Sequence, residues 1–425
     1  MSKTLNIKLQ AAKEKLLTKK DFLYSLLVQI LNSGTNFAFT LYALKVMGPV
    51  QFGIYGIALA SALLILSIAN ASMFVRMTIH CSDLQSDAQN NYLSRMMHIA
   101  GLSSTIIAAL ISPLVFFNLG ENSQWRAVTT TSIAFTLMCS TLVLRDYFIR
   151  RYHLESKEKQ AAIMCATIAA ATLTLTALSV QQNSSLTITS ALFILSVGQA
   201  AGVCLAILKC EPIKSRQHFN TYISDVKKLW PDGKWAIPSS LVSWFHYQSY
   251  IYVSAIFIGP LAVAYANAAR IFIAPYQSYL ASISRVLLPK LVRAKGGKEK
   301  LKIASKYIKT STISMLAYGA ACIAVYQVYP TLYEQYADGF HLTLLCWLLV
   351  LLAQCIREPA MVAAQSTGDF KAIFKKFAIA TTISTVAAIS TVQIIGFRGP
   401  ILAIGLGEIA LAVMLWKTLK KNRSS

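Results

Sequence analysis

One basic residue in this chain stands where a charge is costly. Arg270 lies nine residues past Leu261, in a stretch of apolar sequence. At 1.5 Å per residue a helix would place it about 13 Å from its start, near the middle of a bilayer core. A guanidinium there costs at least about 2.5–3.5 kcal/mol on insertion scales and normally faces a protein interior or a watery cavity. Two roles fit: a cation that meets an anionic ligand, or one half of a structural ion pair. Pro275, five residues on, removes a backbone donor and predicts a kink nearby. Glu408 lies eight residues past Pro400, at a similar depth of about 12 Å. It is a partner for Arg270, a proton or cation coupling site, or a polar wall.

Arg76 and Arg145 fall at the predicted inner ends of two apolar runs. Either could capture phosphate at that face or snorkel to lipid headgroups. Arg145-Asp146 and Arg357-Glu358 could each form a local gating pair. His246 sits among aromatics in Trp244-Phe245-His246-Tyr247, where an interior packing role is the default. Eight cysteines are scattered through apolar sequence with no C-x-x-C and no Cys/His cluster, so neither a metal site nor a disulfide framework is supported. No Walker A, HExxH or other catalytic set is present, so the sequence predicts no enzyme, no cofactor and no ATPase.

The elements that must position these residues follow from composition. The chain has 425 residues, 55% hydrophobic and 13% charged, against about 25% charged in soluble domains. Its net charge of +23 would suggest nucleic acid, but there is little aqueous surface to present it. Twelve apolar runs long enough to cross a membrane recur: about 22–46, 52–76, 95–119, 125–149, 159–180, 186–208, 234–258, 261–285, 307–329, 339–362, 373–396 and 399–418. With the N-terminus inside, 36 of the 40 basic residues fall on the cytoplasmic side and three outside, which predicts both termini in the cytoplasm and an even helix count.

Two features recur at one offset. Gly48-Pro49 and Gly259-Pro260 join the first two helices of each half, 211 residues apart. Arg145-Asp146 and Arg357-Glu358 stand 212 apart. The sequence therefore predicts an all-α integral membrane fold of twelve helices in two six-helix lobes, 22–210 and 234–425, related by a two-fold axis along the membrane normal. Residues 1–21 read as an interfacial amphipathic segment. Within the linker 211–233, Phe219, Tyr222, Ile223, Val226, Leu229 and Trp230 repeat at helical spacing beside Lys227 and Lys228.

Four stretches carry a family resemblance: Leu44 to Tyr55 with its Gly48-Pro49 and Phe52-Gly53; Ala69 to Arg76; Lys234 to Pro238; and Gly259-Pro260 followed by Tyr265 to Arg270, Pro275 and Pro289. They resemble the polysaccharide-lipid flippases, the O-antigen and capsule exporters of the multidrug/oligosaccharidyl-lipid/polysaccharide superfamily. That resemblance implies outward flipping of undecaprenyl-diphosphate-linked oligosaccharide units across the bacterial inner membrane by alternating access. It implies two lobes around a cationic cavity and places Arg270 and Arg76 on motif positions. A polysaccharide polymerase and a chain-length regulator would be pathway partners of a monomer held in membrane lipid. Two other readings stay open at this point: a cation-coupled multidrug or small-molecule antiporter, and a membrane-embedded glycosyltransferase or polymerase. The first lobe lacks a mid-membrane acid, which disfavours the antiporter. The short external loops disfavour the polymerase.

Overall fold

The computed structural model describes residues 2–421 except 82–85, 118–124, 182–185, 211–218, 295, 330–332, 338 and 368–369. Its elements are α1 (Ser2–Val46), α2 (Pro49–Ala69), α3 (Val75–Cys81), α4 (Ser86–Phe117), α5 (Trp125–Leu154), α6 (Glu158–Gln181), α7 (Ile188–Lys209), α8 (Phe219–Phe257), α9 (Pro260–Arg293), α10 (Gly297–Val328), α11 (Phe340–Gln365), α12 (Phe370–Ile395) and α13 (Arg398–Lys421). A π-helical turn, Asn70–Phe74, joins α2 to α3. Among the described residues there is no strand. Nine helices there are long and apolar enough to span a bilayer. The remaining long helices, α1, α8 and α9, supply the other three of the twelve expected positions and carry more polar residues.

The helices present apolar side chains outward: Leu110 is 69% exposed and Ile394 79%. Such a surface is stable only with lipid as its solvent. Between helices in lipid, close backbone approach replaces the hydrophobic drive. Gly53 illustrates it, because a Cβ there would overlap the Pro260 carbonyl.

The chain divides into two compact units. One comprises Met1–Ala43 with Ser61–Ile237, the other Leu44–Ala60 with Pro238–Ser425. The boundary runs through α2 and not between two uninterrupted halves. Two other boundaries differ from the sequence reading. The 1–21 segment continues without a break into the first span as α1, and the side chains of residues 1–19 lie outside the described residues. The amphipathic linker segment is the first part of α8, which runs on through Pro231 and Pro238.

In the first unit that early part of α8 is tied to α4. Arg95 Nε meets the Asp225 carboxylate, which is 4% exposed, and His98 Nδ1 lies 3.1 Å from the Tyr222 hydroxyl. Buried charged hydrogen bonds contribute about 1.5–3 kcal/mol. Asp225→Asn should therefore lower the unfolding midpoint and speed amide exchange over residues 219–230. Exchange at the wild-type rate would remove the tie.

The turn from α5 to α6 is pinned by charge. Arg151 Nε and Lys157 Nζ each reach the Glu155 carboxylate at 2.7 Å. Burial disfavours the ionised carboxyl, but hydrogen bonds from Lys157 and Arg151 outweigh it and hold the pKa below the ordinary value. A depressed carboxylate stabilises above its unfolded pKa, and that stabilisation is lost as pH falls through the folded value. Wild type should lose more stability than Glu155→Gln on acidification below the usual carboxylate range, measured as unfolding midpoint against pH.

Candidate functional site

Gly259, at φ 111°, makes the turn that lets Pro260 open α9, where its missing N–H costs nothing. Ten residues on, Arg270 is half-buried. Its Nη1 donates to Gln248 Oε1 and to the Tyr250 hydroxyl on α8, both at 2.8 Å. Tyr250 in turn donates to Asn267 Oδ1 at 2.5 Å. The guanidinium carbon lies 5.3 Å from the Tyr250 ring centre and 5.7 Å from that of Trp347 on α11. Trp347 is itself fixed by Nε1 donating to the Ala266 carbonyl at 2.9 Å. Among the described residues no carboxylate forms an ion pair with Arg270. Neutral acceptors and ring faces orient the cation and leave its charge uncancelled.

Glu408 does not pair with Arg270. Its carboxylate is fully buried on α13 and accepts from Arg357 Nε at 2.8 Å and from Gln354 Nε2 at 3.1 Å, both on α11. Arg357 Nη2 reaches the Tyr247 hydroxyl at 2.9 Å, and Nη1 meets Glu358. Ser284 donates to Glu358 at 2.7 Å, and Gln277 donates to Gln354 at 3.1 Å. His246, fully buried, places Nε2 3.8 Å from Glu408. Equal depth suggested an Arg270–Glu408 pair, but depth says nothing of azimuth, and α11 stands beside α13 with its own arginine. Gly407 admits the ring: a Cβ there would lie 2.7 Å from His246 Cε1.

The two expected gating pairs differ. Arg357 and Glu358 do meet, inside this larger network. Asp146 instead meets Arg150 at 3.5 Å, one turn on. Arg145 is 5% exposed, and its Nε has no hydrogen-bond partner among the described residues. Neither arginine ends its helix, since α5 continues to Leu154 and α11 to Gln365. A charge in an apolar run was read as a terminus and is an interior group. The side chain of Arg76 lies outside the described residues.

Sequence reasoning missed Arg150 and Asn70. Arg150 Nη2 donates at 2.7 Å to Asn70 Oδ1 in the π-helical turn and covers the Phe74 ring at 5.6 Å. The four-residue spacing from Asp146 was the available signal. Among the described residues no cluster of histidine, cysteine or acidic groups could hold a metal.

The comparisons agree with this architecture. No curated protein matches the chain by sequence. Among solved structures, a lipid II flippase MurJ in an inward closed conformation superposes with a TM-score of 0.74 at 14% identity, over 94% of this chain and 87% of that one. An inward-facing multidrug-resistance MATE transporter of the MOP superfamily gives 0.69 at 14% identity, over 92% and 96%. The eukaryotic MATE transporter AtDTX14 gives 0.62 at 13%, over 96% and 98%. These likenesses show that the chain shares the all-helical fold of those transporters. Residues 18–295 match the family described as polysaccharide biosynthesis protein, and this chain belongs to it.

Proposed function

We propose that this protein flips undecaprenyl-diphosphate-linked oligosaccharide repeat units from the inner to the outer leaflet of the bacterial cytoplasmic membrane by alternating access. The units would feed O-antigen, capsule or exopolysaccharide assembly. Membership of a polysaccharide biosynthesis family supports a saccharide cargo. The observation that carries the reading is Arg270, a half-buried guanidinium on α9 with only neutral partners among the described residues. A diphosphate supplies the charge such a site lacks. An antiporter for cationic drugs, on the same fold, fits a positive site poorly. Glu408 would serve ion coupling only by releasing Arg357 and Gln354, so we assign it first to holding α11 and α13 together.

The test is genetic and chemical. A deletion strain should accumulate lipid-linked repeat units on the inner leaflet and lose surface polymer, and the gene in trans should restore both. Loss of a polymerase would instead leave single units at the surface. Normal surface polymer in the deletion strain would overturn the reading.

A further inference from the structure

The buried network of the second lobe has a counterpart in the first, with one change. Arg357 on α11 corresponds to Arg145 on α5, and Ser384 on α12 to Thr172 on α6, each at an offset of 212 residues. His246 on α8 corresponds to Thr35 on α1 at 211, and Glu408 on α13 to Gln199 on α7 at 209. In the second lobe these four side chains converge: Glu408 binds Arg357, and His246 lies between Glu408 and Ser384. In the first lobe Arg145, Thr172, Thr35 and Gln199 line one pocket, with Asn32 and Asn36 at its side. An amide therefore stands where the repeat places the neutralising carboxylate.

The consequence is visible in the atoms. Arg145 and Gln199 are each 5% exposed, and Arg145 Nε and Gln199 Oε1 both lack a hydrogen-bond partner among the described residues. Among the described residues no acidic residue lines the pocket. Asp146 follows Arg145 in sequence but points about 100° round the helix, and meets Arg150. Asp146 attracts Arg145 from the neighbouring position but forms no ion pair with it, and among the described residues no other carboxylate forms one. A buried cation without a paired carboxylate is costly, and an orphaned buried donor adds to that cost. The open space is about 10 Å³. That admits a single small occupant and is too little for a diphosphate.

We propose that the pocket beside Arg145 binds one small monovalent anion of halide size, in the position that Glu408 fills beside Arg357. The anion neutralises Arg145. Turning the Gln199 amide over presents its NH₂ group to the anion, and the Thr172 hydroxyl supplies a second donor, that of Thr35 being given to the Leu31 carbonyl. The site lies within one lobe, is separate from Arg270, and rests on nothing about the cargo.

The test uses the purified full-length protein moved from chloride into gluconate, with bromide as the probe. Bromide should raise the unfolding midpoint saturably by several degrees, and crystals should show anomalous bromide density beside Arg145. Gln199→Glu supplies the carboxylate from the chain itself. It should make the midpoint independent of bromide and remove the density. Arg270→Ala should keep both responses. If Gln199→Glu fails to fold, Gln199→Leu should still weaken the bromide response. Equal midpoints in bromide and gluconate, an ordered water alone in the pocket, or an unchanged bromide response in Gln199→Glu would each overturn the proposal.

Discussion

Arg357→Met should lower the unfolding midpoint sharply, while Arg357→Met combined with Glu408→Leu should recover most of the loss. The single change strips the guanidinium from a carboxylate that is fully buried. Breaking one side of such a pair costs on the order of 3–5 kcal/mol, because the buried carboxylate keeps only the Gln354 amide and the nearby His246 ring in place of its guanidinium. Replacing both partners by apolar side chains of similar volume is often neutral or better. Glu358→Gln is the control. Its carboxylate is 22% exposed and shares Arg357 with Glu408, so its loss should cost less. Thermal unfolding of the purified variants checks the series. If the double variant is as unstable as the single one, packing and not charge holds α11 to α13.

Arg270→Ala should reduce transport about tenfold to a hundredfold with little change in folding. The estimate takes one charged hydrogen-bond set to a diphosphate at about 1.5–3 kcal/mol, with 1.4 kcal/mol per factor of ten. Arg270→Lys should fall between, since an ammonium keeps the charge but loses the planar fork that grips two oxygens. Tyr250→Phe removes a hydroxyl that accepts from Arg270 and donates to Asn267. It should impair transport less than Arg270→Ala, and Arg270→Lys should not be rescued by it. The measurement is surface polymer in the complemented deletion strain, normalised to membrane protein level. Full activity of Arg270→Ala at equal abundance would remove Arg270 from the path of the cargo.

Helix positions were legible because a bilayer imposes length and apolarity on each segment independently of its neighbours. The 125–149 and 339–362 runs mark α5 and α11, but both helices run further. Arg145 falls near the end of its apolar run because a charge interrupts hydropathy, and hydropathy cannot see a neighbouring helix that receives the charge. Partnership was the illegible part. Glu408 meets a residue 51 positions away and Arg270 meets residues 20 and 22 away. Those pairings depend on which azimuth of each helix faces which neighbour. The linker segment and the seventh span form one helix, α8, although Pro231 and Pro238 lie within it.

The acid-to-amide difference between Glu408 and Gln199 also has an evolutionary side. Every glutamine codon becomes a glutamate codon by one change at its first base. After a duplication, a single mutation could thus have separated a lobe whose core is electrically complete from one that must borrow an ion from its surroundings. Stability of the first lobe would then follow the salt composition of the cell, while that of the second would not.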